Sequence, residues 1–151
     1  MPRWNRWAGE EDGSAALEFI VVGVILLVPL VYLLLALGAV QEHTLGAEAA
    51  ARHTARAMGQ APDAPSATAR GDAIIAEAVE EYGMDPGSVQ VAIACTPASA
   101  TCPAPGATVI VTVTTRVSLP FVPPILGLDQ ATAIPVEASA AQKISRVWGG
   151  G

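Results

Sequence analysis

The 22 residues from Phe19 to Val40 carry no charge, and this block limits what the chain can fold into more than any other feature. At 1.5 Å per helical residue it reaches about 33 Å, close to the hydrocarbon thickness of a bilayer. A secretory signal peptide is the rival reading. Its apolar stretch normally runs about 7–15 residues and ends in small residues at a cleavage site, and Gly38-Ala39-Val40-Gln41 makes a poor one. No cysteine follows the block, which argues against a lipoprotein anchor. The block therefore predicts a retained transmembrane helix. Pro29 lies inside it; proline there removes one backbone hydrogen bond and bends the helix locally, which membrane helices tolerate.

The rest of the 151 residues leaves room for roughly 80–110 residues of soluble domain. The 52% hydrophobic content is high for a soluble domain and much of the excess lies in the apolar block, while aromatics are only 5%. A net charge of −6 excludes a general nucleic-acid binder, which needs basic side chains against phosphates. It also offers no attraction to anionic lipid headgroups. Charge orients the span weakly: Arg3 and Arg6 precede it, Arg52 and Arg56 follow, with a slight edge to a cytoplasmic N-terminus because those two arginines sit in a very short tail. Cys95 and Cys102 are the only cysteines. A disulfide between them requires an oxidising compartment and agrees with an extracytoplasmic C-terminal part; two free thiols are the alternative.

Along the chain, residues 1–13 read as a polar cytoplasmic leader and 14–40 as the membrane helix. Residues 41–60 are alanine-rich and predict a helical extension into the aqueous phase. Gly59 and the pair Pro62/Pro65 stop it, making 61–67 a linker. A small extracytoplasmic domain spans 68–140. Its helix covers about 67–82, with Ile74, Ile75, Ala78, Val79 and Tyr82 forming an apolar stripe and Glu77, Glu80 and Glu81 opposite. Gly83 ends it and Asp85-Pro86-Gly87 turns the chain. Val89, Val91 and Ile93 alternate with smaller or polar residues, as do Val109, Val111, Val113, Thr115 and Val117, predicting an antiparallel pair. A third strand covers 131–139, with Pro135 placing it at an edge. Residues 141–151 read as a flexible tail. The predicted fold is α+β: a long transmembrane helix extended into solvent, then one helix packed on an antiparallel sheet of about three strands.

Glu18 is the informative polar residue. A carboxylate inside an apolar span costs about 2.5–3.5 kcal/mol at the membrane centre and less near an edge. It follows a small-residue junction, Gly13-Ser14-Ala15-Ala16-Leu17-Glu18-Phe19. A short polar leader, glycine, four residues, glutamate, an aromatic residue and a long apolar helix resemble the type IV pilin signature. Within that family, the alanine-rich continuation, the later valine and threonine strands and the loop from Leu119 to Gly127 are most similar to TadE-like pseudopilins of tight-adherence pilus systems. The resemblance implies cleavage by a prepilin peptidase between Gly13 and Ser14, on the cytoplasmic side. It also implies that Glu18 neutralises the freed α-amino group in a helical bundle, with Phe19 beside it in subunit assembly. It implies a non-catalytic minor or accessory subunit of the plasma (inner) membrane, partnered by other pilin-like subunits and assembly machinery.

The other functional classes leave fainter traces. The loop from Leu119 to Gly127, with Phe121, Ile125 and Leu126, is a candidate interaction surface of a single-pass protein, or else a cap on the sheet. His43 and His53 are the only histidines and lack cysteine or carboxylate companions at metal spacing. No phosphate loop or nucleophile elbow occurs. The expectations are therefore no catalytic residue, no metal, no cofactor and no small-molecule substrate.

Overall fold

The computed structural model of the chain describes residues 11–99, 101–122 and 125–149. Its elements are α1 (Glu11–Gly59), α2 (Ala64–Glu81), β1 (Gln90–Thr96), β2 (Thr108–Val117), α3 (Leu128–Ala131) and β3 (Ile134–Lys143). The chain divides into two compact units, Met1–Leu37 and Gly38–Gly151. The leader reading for residues 1–10 lies outside the described residues. In the first unit α1 is the one described element, and Pro29 sits within it without ending it.

The second unit is built on a three-stranded antiparallel sheet of order β1-β2-β3. Val91, Ile93 and Cys95 face Val113, Val111 and Val109 across the first ladder, and Val136 and Ala138 face Thr115 and Val113 across the second. β2 is the central strand, and its period-two pattern turns Val109, Val111, Val113, Thr115 and Val117 into the core while their neighbours point away. A fully buried valine side chain contributes about 1.5–3 kcal/mol relative to exposure, so this row is the main apolar payload of a domain poor in aromatics. Thr115 is tolerated in the row because its hydroxyl pairs with that of Ser88 at 3.2 Å. β3 is an edge strand, with Pro135 opposite Arg116.

The helix covering this sheet corrects one expectation. Residues 41–60 do not extend freely into solvent. Ala47, Ala50, Ala51, Ala55 and Met58 are buried in the same cluster as the β2 valines. Ala47, Ala51 and Ala55 follow at four-residue steps, with Ala50 and Met58 three residues after Ala47 and Ala55, which lines one face of a helix. Alanine removes little apolar area from water, but it lets backbone and sheet approach closely. Flanking this face is the exposed ion pair of Arg52 with Glu48, one turn apart and worth about 0.3–0.5 kcal/mol.

α2 lies against α1 through small residues: a methyl group on Gly71 would meet Thr54 Cγ2 at 3.3 Å, and one on Gly46 would meet the Tyr82 side chain at 2.8 Å. Ala78 is buried, and Ile75, Val79 and Tyr82 pack on the core from the side. The helix starts at Ala64, earlier than its apolar stripe predicts, so Pro65 opens it rather than closing the linker. First-turn N–H groups have no intrahelical partner, and proline lacks one to lose. Asp63 caps this end by accepting from Ser66 N–H at 2.8 Å. Hydrogen bonds from Ser66 hold the Asp63 carboxyl below its ordinary range, with Arg70 assisting. Because the folded value is depressed, the cap stabilises above the unfolded carboxyl's titration and is lost as pH falls through the folded one.

The tail expectation is corrected as well. β3 continues to Lys143, and the Ile144 side chain beyond it is buried. Ile144 N–H donates to the Ala107 carbonyl at 2.8 Å, Gly106 N–H donates to that of Ser145, and Trp148 packs against the core. Residues 144–148 therefore close the sheet end rather than fraying. The third strand also begins later than predicted, at Ile134, because the short helix α3 takes up Leu128–Ala131.

Candidate functional site

In the first unit the α1 side chains from Ala15 to Leu35 are exposed, Phe19 at 79%. An apolar surface of this extent is stable in contact with lipid or with other apolar helices. Among the described residues α1 is the one helix long and apolar enough to cross a membrane, consistent with a single-pass membrane protein. Gly13 and Ser14 fall in its first turn, where backbone N–H groups lack intrahelical partners and opening the backbone costs few hydrogen bonds. Glu18 follows Ser14 by four residues, one turn along the same face. Its side chain is exposed beside that of Phe19, so the carboxylate and the ring are both open to a neighbouring helix.

In the second unit Cys95 and Cys102 form a disulfide, with Cα atoms 5.7 Å apart. The bond closes the loop leaving β1 at the strand end where Cys95 pairs with Val109. A loop this short stabilises by about 2–3 kcal/mol on the chain-entropy estimate. The double variant Cys95→Ser/Cys102→Ser is expected to lower stability by about that amount. Denaturant unfolding followed by hydrogen exchange at the β2 amides measures it, and an unchanged midpoint would remove the loop's stabilising role.

Phe121, Ile125 and Leu126 gather in the connection from β2 to β3. They are highly exposed, Leu126 at 99% and Phe121 at 82%. None of the three joins the buried cluster. Leu128, at the start of α3, adds a fourth exposed apolar side chain.

A groove of about 730 Å³ between α2 and β1 was not foreseen. It is lined by Thr54, Gly71, Ile75, Val79, Val91 and Ile93, with Asp72 and Glu80 on its rim. Thr54 is buried there, and its hydroxyl has no hydrogen-bond partner among the described residues. The two apolar patterns that make the groove, the α2 stripe and the β1 alternation, are readable separately. Their separation at the free edge of the sheet is not. His53 is exposed and His43 half-buried on α1. Among the described residues no group of three or more histidines, cysteines and carboxylates is placed to hold a metal ion.

No family model, curated protein or solved structure matches the chain. Its function is read from its own residues. They offer two surfaces of different kinds: an apolar helix headed by Gly13, Ser14, Glu18 and Phe19, and a small sheet domain with an exposed loop and a groove.

Proposed function

We propose that this chain is a TadE-like minor pilin or pseudopilin, a non-catalytic subunit in the assembly of a tight-adherence type IV pilus or a related secretion apparatus. The observation that carries the reading is the run from Gly13 to Phe19 at the head of an uncharged helix. Prepilin peptidase cuts between Gly13 and Ser14 on the cytoplasmic face, and the second unit lies outside. Ser14 then supplies a free α-amino group, cationic at neutral pH. Glu18, one turn away, is placed to neutralise it in its own chain or in a neighbour within a bundle of apolar helices. The exposed surface of α1 from Ala15 onward supports this, because such a helix can exchange lipid contacts for contacts with like helices.

The test is the mature N-terminus. Mass spectrometry of the native membrane form is expected to find a chain beginning at Ser14, and Gly13→Leu is expected to abolish that species. A native chain retaining residues 1–13 would count decisively against the reading. A second reading, an unprocessed single-pass protein whose external domain binds a partner, is favoured by the α2–β1 groove. The same measurement separates them, since this reading requires an intact N-terminus.

A further inference from the structure

The exposed loop joins β2 to β3 at a definite end of the second unit. Gly59 abuts Gln142, a methyl on the glycine falling 2.8 Å from Gln142 Cγ. Glu48 and Arg52 border a surface pocket with residues 137–141 of β3. Eleven helical residues from 48 to 59 rise about 16 Å, and five strand residues from 137 to 142 rise about 17 Å. The two elements therefore run side by side in the same direction. Continuing back from Glu137 to Ile134 covers about 10 Å, or about seven helical residues, which brings the start of β3 level with Gln41. Ala39 and Val40 pack against the core at that end. Since Val117 pairs with Ile134, the whole β2–β3 connection, residues 118–133, leaves and rejoins the sheet at the end where the apolar block stops.

We propose that this connection is a membrane-docking loop, inserting Phe121, Ile125, Leu126 and Leu128 into the interfacial layer of the bilayer. Its chemistry suits a lipid surface. Residues 118–133 hold one charge, Asp129, and no lysine or arginine, so the loop enters by transfer of apolar side chains rather than by attraction to anionic headgroups. Phe121 and Leu126 both adopt positive φ, 63° and 57°, a backbone state that residues with side chains rarely adopt. Backbone states of this kind cluster in ligand clamps and switch regions. The most exposed apolar side chain described, Leu126, sits at one of these two positions. Tethering through α1 keeps the bilayer at high effective concentration for a loop at this end, which a free protein partner does not enjoy. The inference rests on the membrane span and is independent of filament assembly.

The full chain, reconstituted into nanodiscs of zwitterionic phosphatidylcholine, provides the test. Nitroxide labels on p-acetylphenylalanine at positions 27, 121, 126 and 141, one per sample, leave the disulfide intact. Collision with oxygen against collision with a water-soluble nickel complex then reads depth. Positions 121 and 126 are expected to favour oxygen, approaching position 27, while position 141, exposed at the opposite end of β3, favours nickel. Leu126→Asp is expected to shift the label at 121 toward nickel, and its nearly complete exposure makes it harmless to the fold. A nickel-accessible label at 126 overturns the proposal, as does one shielded from both reagents by protein. If position 27 is itself nickel-accessible, the span reading fails with it; if 27 is immersed and 126 is not, the loop alone fails.

Discussion

Ala51→Leu is expected to disrupt the second unit more than any other single apolar substitution on α1. Ala51 is fully buried within the cluster that holds Val109, Val111 and Val113. Three added carbons have no space to enter, and overpacking of this kind costs about 1–3 kcal/mol and occasionally more. The helix cannot move away freely, because Gly46 is pressed against Tyr82 and Gly59 against Gln142 on either side of the site. A domain of this size holds about 5–15 kcal/mol in total, so the loss is a large share. Ala73→Leu on the exposed side of α2 is the matched control, where the same added carbons meet water. Circular dichroism would report little, since the apolar part of α1 stays helical whether or not the sheet is covered. Hydrogen exchange at the β2 amides reads the loss directly. Equal protection in the two variants would mean that α1 does not cover the sheet.

The same position shows why part of the fold escaped the sequence. The β2 alternation is legible because valine and threonine differ sharply in hydropathy and the strand buries alternate residues without exception from Val109 to Val117. The covering face of α1 is built from alanine at 47, 50, 51 and 55, and alanine is also the best helix former. An alanine-rich stretch thus gives the same signal whether it is a solvated rod or a tightly packed seam. Pro65 misleads for a related reason: one residue type both ends a helix and begins one, and only the Asp63 cap distinguishes the cases. Ile144 and Trp148 lie beyond the last alternating run, and their segment is held by hydrogen bonds of Ile144 and Ser145 with residues 107 and 106, far away in sequence.

The candidate sites divide along the same line. Gly13, Ser14, Glu18 and Phe19 are adjacent in the chain, so their spacing on a helix is fixed once the helix is known. The exposed loop was legible in composition, through its run of prolines and apolar residues. Its level against α1 required the register of β2 with β3. The α2–β1 groove had no signal of its own, because a gap between two correctly read elements depends on their distance alone.

Glu18→Ala is expected to leave processing intact while removing the protein from assembled filaments. On the pilin reading, cleavage depends on the Gly13–Ser14 bond and its small neighbours, five residues before the carboxylate. The mature mass should therefore still begin at Ser14. Assembly differs, because the new α-ammonium then enters an apolar helical bundle with no counter-charge. Removing one partner of a buried ion pair costs about 3–5 kcal/mol, which is about two to three and a half orders of magnitude in a subunit contact. The loss repeats at every copy that joins, so partial incorporation is not the expected result. Glu18→Gln separates charge from hydrogen bonding: it keeps an acceptor for the ammonium but no negative charge, and should recover only part of the loss. On the unprocessed reading no amine appears at Ser14. Glu18 is then an exposed carboxylate near the start of the helix, and its loss relieves a desolvation cost rather than creating one. The two readings thus predict opposite signs for one substitution. Sheared surface fractions probed for the Glu18→Ala protein decide between them, and normal incorporation would sink the proposed pairing.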